Sequence, residues 1–171
     1  MRFIMRKLML SGIFCLVTLF ISLPSFSKTG DIYIDGDITH RNYGAGYILT
    51  EAEFNTLEKH HIKTTTSWTE LGHVVDFEGV KFKDLLNVVG ARGKTLRMRA
   101  LNDYWVDIPV SDVEEFDMLL ANKMDGKQLK VRDFGPYFVI YPMDKFYGKL
   151  NTPVYQARHI WQVSGITVLD K

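Results

Sequence analysis

The chain has 171 residues, 21 basic against 20 acidic, 46% hydrophobic residues and one cysteine. A net charge of +1 gives no electrostatic basis for binding nucleic acid. One cysteine excludes an internal disulfide and any cluster of thiolate metal ligands.

The first predicted element is a leader. Arg2, Arg6 and Lys7 form a positive n-region, Leu8 to Leu23 is almost wholly apolar, and Pro24 ends the run. Ser25-Phe26-Ser27 then places small residues where a signal peptidase reads, so a signal peptide is expected over 1–27 and a mature domain over 28–171. The run is short for a membrane span, which favours cleavage over a retained anchor. Cleavage would remove Cys15, three of the 21 basic residues and none of the 20 acidic ones, leaving a balance of −2. A mature protein without disulfides must fold on its apolar core, and this length suffices for one domain.

Short apolar runs punctuated by glycine follow. Ile32–Ile34 reads as a strand. Thr50-Glu51-Ala52-Glu53 is a capping box opening a helix that buries Phe54 and Leu57. Strands are predicted over Ile62–Thr66 and Val74–Phe77, with Gly79 as a turn signal. Phe82–Val89 reads as a helix with Leu85, Leu86 and Val89 inward and Gly90 as its stop. Leu96–Ala100 and Trp105–Val110 are the next strands, and Arg97 and Arg99 alternate with apolar residues as a solvated outer face. Ser111-Asp112-Val113-Glu114 reads as another capping box. Met118–Ala121, Tyr137–Tyr141 and Ile166–Leu169 complete the strands, and Asp125-Gly126 marks a tight turn. Strands interleaved with short helices predict an α+β domain built around a mixed sheet.

Three segments carry a family likeness: Phe77-Glu78-Gly79-Val80 running into Phe82–Leu86; Arg99–Tyr104 followed by Ile108-Pro109; and Met124-Asp125-Gly126 through Gly135-Pro136 and Tyr141-Pro142 to Ala157–Val163. Their order and spacing resemble the molybdopterin-binding domain of the sulfite oxidase family over nearly the whole mature chain. The resemblance implies that fold. In that family a cysteine shortly before a tryptophan ligates molybdenum. Here the stretch is Thr64-Thr65-Thr66-Ser67-Trp68, and a hydroxyl does not replace a soft thiolate. On this ground molybdenum is not expected, nor is an enzyme of the usual oxo-transfer kind. Compact members without the cysteine resemble periplasmic pterin-binding proteins. These act with inner-membrane enzymes that make or degrade cyclic di-GMP. The expectation is therefore a periplasmic pterin binder that regulates such an enzyme through its periplasmic domain. Two alternatives stand beside it: a molybdopterin-dependent oxidoreductase without a cysteine ligand, and a non-catalytic accessory protein.

A pterin ring needs aromatic faces and a few placed polar groups. Trp68, in a polar loop with Thr66, is the stacking candidate; the other reading is that it caps the sheet. Asn102-Asp103-Tyr104 reads either as a hairpin turn or as a polar contact, with Asp103 for the pterin edge and Tyr104 for a wall. Tyr137 is a candidate contact, although its alternation with Phe138 also suits core packing. Arg158 resembles the family's contact with the cofactor tail, and its other reading is a surface arginine. His159 is read as a structural hydrogen-bonder and Trp161 as core. His60-His61 makes no metal pair, because neighbours on a strand face opposite sides.

Overall fold

A computed structural model describes residues 30–171, so the expected signal peptide lies outside the described residues. In chain order the elements are β1 (Ile32–Gly36), β2 (Tyr47–Leu49), α1 (Glu51–Thr56), β3 (His60–Thr64), β4 (Val75–Lys81), α2 (Phe82–Val89), β5 (Thr95–Ala100), β6 (Trp105–Pro109), α3 (Val110–Phe116), β7 (Leu119–Met124), β8 (Lys127–Gln128), β9 (Phe138–Ile140), α4 (Tyr147–Leu150), α5 (Pro153–Arg158) and β10 (Val163–Leu169). They form an α+β fold, as expected.

The expected mixed sheet is present and is joined by a second sheet. The first runs β2-β1-β10-β5-β6 and is mixed, because β1 and β10 are parallel while the other pairs are antiparallel. The second runs β3-β4-β7-β8, with β9 beside β8 on the same edge of β7, and is antiparallel throughout.

Side-chain alternation along β7 and β9 explains how the sheets combine. Leu120 and Val139 face a large core shared with Ile34, Leu96, Met98 and Ile166 of the first sheet and with Leu85 and Val89 of α2. Leu119, Ala121, Phe138 and Ile140 face a smaller core with Val75 and Phe77. The second sheet is thus covered on both faces at its centre. Each large side chain fully buried there contributes roughly 1.5–3 kcal/mol.

Local chemistry accounts for several boundaries. Thr50 Oγ1 accepts from Glu53 N at 3.1 Å and starts α1. The reciprocal half of the capping box is not made, because the Glu53 carboxylate accepts from the Tyr47 hydroxyl instead. α2 ends at Gly90 in the left-handed region (φ 61°), and Ala91 N donates to Leu86 O at 3.0 Å. Asp125 and Gly126 both have positive φ, as the tight turn requires. Gly79, expected as a turn, lies inside β4 at a register shift against β7. A Cβ there would stand 2.2 Å from the Leu120 carbonyl oxygen, so only glycine lets the strands meet.

The expected capping box at Ser111 is corrected. α3 starts after Pro109 with no side-chain cap. Asp112 is buried, and its Oδ2 accepts from the Tyr141 hydroxyl at 2.8 Å and from Arg158 at 2.7 Å. Because α3 already begins at Val110, Ser111 lies inside the first turn and not at the cap. The outer face of the first sheet is less simply solvated than expected. Arg97 makes a two-pronged ion pair with Asp107 at 2.8 and 2.9 Å and stacks on Trp105 at 4.3 Å.

Candidate functional site

A cavity of about 470 Å3 opens at one end of the fold, a size typical of small-molecule sites. One wall is the β5–β6 hairpin turn, which contributes Ala100, Asn102 and Tyr104. The opposite wall is α5 and the segment after it, with Pro153, Gln156, Ala157, His159, Ile160 and Trp161. Trp68 closes a third side from the loop joining β3 to β4.

Each wall has a local cause. Asp103 takes a left-handed conformation (φ 64°), its N–H reaches Ala100 O at 3.2 Å, and Asn102 Oδ1 accepts from Tyr104 N at 3.2 Å. The hairpin turn and the binding wall are therefore one structure, and the turn conformation is what presents Asn102 and Tyr104. Thr66, nearly fully buried, accepts through Oγ1 from Trp68 N at 3.2 Å and Thr69 N at 3.1 Å, so the hydroxyl shapes the turn on which Trp68 sits. Pro153 starts α5 from the first turn, where its missing N–H costs nothing.

The lining suits a flat heteroaromatic ring. Three aromatic side chains, Trp68, Tyr104 and Trp161, border the cavity beside apolar Ala100, Pro153 and Ile160. The Asn102 Nδ2 group, the Gln156 side-chain amide and the Tyr104 hydroxyl have no hydrogen-bond partner among the described residues, so they stand ready for the edge of a ligand. His159 is buried. Its Nδ1 donates to Tyr155 O at 2.9 Å, and its Nε2 faces the Tyr141 N–H at 3.4 Å. Burial pulls its pKa down to about 4. At neutral pH the imidazole is therefore an uncharged piece of the wall, and a structural hydrogen-bonder.

The expected contacts divide. Trp68, Asn102 and Tyr104 line the cavity, and Thr66 supports Trp68 from beneath. Asp103 is an exposed turn residue beside the cavity and does not line it. Tyr137 lies in the core with its hydroxyl donating to Gly30 O at 2.7 Å, away from the cavity. Arg158 does not line the cavity, and its Nη1 donates to buried Asp112 at 2.7 Å. Gln156 and Trp161 were not singled out as contacts. Trp161 packs edge-on against Phe134 at 5.9 Å while also facing the cavity, so the core reading was half of its role. The available signal was Thr152-Pro153, a helix start that places Gln156 one turn on.

No group of three or more His, Cys, Asp or Glu among the described residues is arranged to hold a metal. His61 bonds Asp76 at 2.9 Å, and His60 lies 3.6 Å from Asp84, so the adjacent histidines serve different neighbours. Among the described residues no helix is long and apolar enough to cross a membrane.

Residues 49–149 match the family described as oxidoreductase molybdopterin binding domain. The fold is similar to a crystal structure of the sulfane dehydrogenase SoxCD from Paracoccus pantotrophus. The TM-score is 0.63 at 16% identity, covering 83% of this chain and 38% of that one. At that identity the likeness shows the fold alone, and the chain spans about two-fifths of the matched structure's length. No curated protein matches.

Proposed function

Because this chain belongs to the oxidoreductase molybdopterin-binding domain family, we propose that it binds molybdopterin in the cavity bounded by Trp68, Tyr104 and Trp161 and serves as the cofactor domain of an oxidoreductase. Two expectations are corrected by the family match: that the protein is not an enzyme, and that molybdenum is not to be expected. Both rested on the missing cysteine. Molybdopterin holds its metal through two sulfurs of its own, so a protein thiolate is an additional ligand and not the anchor of the cofactor.

The residues present fit the pterin part of such a group. The aromatic rings offer faces to stack on, and Asn102 and Gln156 offer amides for the ring edge or tail. The hydroxyl of Thr66 is engaged with backbone amides, and the described residues include no cysteine, so among them none offers a thiolate to the metal. When bound, the cofactor supplies two-electron oxo-transfer chemistry; the chain binds, orients and shields it. The single observation that carries the reading is the meeting of three aromatic side chains with unpartnered amides in one cavity of fitting volume.

The narrower expectation, a pterin-responsive regulator of a cyclic di-GMP enzyme, finds no support in the comparisons, and the oxidoreductase alternative takes its place. A pterin-type ligand is common to both. Export to the periplasm, argued from the leader, remains part of the proposal.

The test is cofactor content. Protein made in a host that assembles molybdopterin should carry stoichiometric pterin, read by fluorescence after release and oxidation, together with molybdenum by elemental analysis. Protein free of both, from a host that loads a control molybdopterin enzyme, would overturn the proposal. Within the site, Trp68→Ala should weaken pterin binding by roughly five- to tenfold, the loss of one stacking partner worth about 1 kcal/mol. Asn102→Ala should weaken it by a similar factor through one lost hydrogen bond of about 1 kcal/mol. Asp103→Asn, which keeps a residue that tolerates the left-handed turn conformation, and Tyr137→Phe, both away from the lining, should leave the calorimetric affinity unchanged.

A further inference from the structure

We propose that Asp144 is a positioning residue for the cavity, a clasp that fixes the Trp68 loop against the wall formed by α5. The inference rests on the cavity being a pterin site.

The run Thr64-Thr65-Thr66 has no capping role in a helix and no donor role toward a metal. In the structure each hydroxyl has its own task. Thr65 donates twice to one carboxylate, from its N–H to Asp144 Oδ2 at 2.9 Å and from its Oγ1 to Asp144 Oδ1 at 2.7 Å. Thr64, fully buried, accepts at Oγ1 from the Asp144 N–H at 3.1 Å. Thr66 then folds the turn beneath Trp68. Three hydrogen bonds thus join residue 144 to the two residues at the start of the loop. A carboxylate gripping a backbone amide and a hydroxyl together is a charge-assisted fork, stronger and more directional than a neutral pair.

Asp144 is itself anchored. It follows the end of β9 by four residues, and Tyr141 is tied to the opposite wall: its N–H faces His159 Nε2, and its hydroxyl donates to Asp112, which also holds Arg158 of α5. The short segment 141–144 therefore touches both walls. It sets the spacing between Trp68 on one side and Gln156 and Trp161 on the other. Beyond the threonines the loop has little else to hold it. Leu71 is 97% exposed, and no strand or helix is formed until Val75. A stacking ring on such a loop binds well only if its position is already set, because ordering it at the moment of binding costs affinity.

The test separates this role from a merely structural one. The full chain labelled with 5-fluorotryptophan gives one fluorine resonance for each of its three tryptophans, Trp68, Trp105 and Trp161. Asp144→Ala should shift or broaden the Trp68 resonance and leave Trp105 in place. Biopterin, the binding probe, should bind Asp144→Ala roughly fivefold more weakly than wild type, no worse than Trp68→Ala, and the double variant should match Trp68→Ala alone. Thr65→Val, which removes one prong of the fork and keeps the shape, should show the same effects at smaller size. Asp144→Asn, which keeps an acceptor oxygen, should restore part of the binding. An unmoved Trp68 resonance in Asp144→Ala overturns the proposal. So does an Asp144→Ala penalty that persists in the Trp68→Ala background. Failure of wild type to bind biopterin, with the Trp68 resonance still moving, removes the pterin site and leaves the clasp standing.

Discussion

Asp112→Ala is expected to cost the fold about 3–5 kcal/mol, enough to unfold much of the population of a protein of ordinary stability. The carboxylate is buried and accepts from both the Tyr141 hydroxyl and Arg158. Removing it strands a guanidinium that is itself mostly buried, and leaves a fully buried phenol without its partner. Burial and the neighbouring carboxylate hold the Tyr141 phenol far above the usual tyrosine range, so it stays a neutral donor at any working pH. The penalty is the stranded donors and not the worth of the ion pair. The double variant Asp112→Leu/Arg158→Met removes the stranded guanidinium and should therefore recover that part of the loss, leaving the smaller cost of the unpartnered Tyr141 hydroxyl. Urea unfolding of wild type, Asp112→Ala and the double variant decides this. Equal losses in the single and double variants would mean that the pair is valuable in itself. Arg158→Met alone should leave pterin affinity within about twofold, since the guanidinium does not line the cavity.

Acidification should weaken the protein by on the order of 3 kcal/mol between about pH 6.5 and pH 4, through His159 alone. In the unfolded chain this imidazole takes a proton near its ordinary pKa of about 6.5. In the fold, burial lowers the pKa to about 4, so only the unfolded state gains a proton in that window. A state that binds more protons is favoured as pH falls, so stability is complete above the unfolded pKa and drains away down to the folded one. The groups around His159 do not reverse this. The Tyr155 carbonyl already takes the Nδ1 proton at 2.9 Å, the Tyr141 N–H occupies the other nitrogen, and Asp112 and Arg158 neutralise each other. Asp107, held below the usual carboxylate range by its hydrogen bonds from Arg97, loses its contribution only at lower pH. His159→Gln should be less stable at pH 7 but should show a much flatter pH dependence between 6.5 and 4. A wild-type curve as flat as the variant's would show that His159 is not the group responsible.

What the sequence determined by itself was local. Thr50 and Gly90 mark helix ends because a side-chain oxygen or a missing Cβ satisfies backbone groups within one turn of chain. The amphipathic spacing of α2 and the Asp125-Gly126 turn are set in the same way, by neighbours along the chain. The fold class was legible for that reason, and the family through motif order. Trp68 stood out in the sequence because a large aromatic in a polar loop is out of place unless something covers it, and Tyr104 through the family likeness; both line the cavity.

Only the tertiary structure decided the rest. Ser111-Asp112-Val113-Glu114 has the sequence signature of a capping box, but α3 starts one residue earlier, and Tyr141 and Arg158, from segments far along the chain, make Asp112 a core acceptor. The second sheet went unseen as a separate layer because β7 and β9 are covered on both faces, which erases the alternation that reveals a strand's buried side. The threonine run read as a missing metal ligand, and Asp144, some eighty residues away, made it a clasp. The cavity draws its walls from residues 68, 100–104 and 153–161. No single stretch of sequence contains that surface; it exists only where the hairpin turn, the threonine loop and α5 are brought together by two sheets packed on one core.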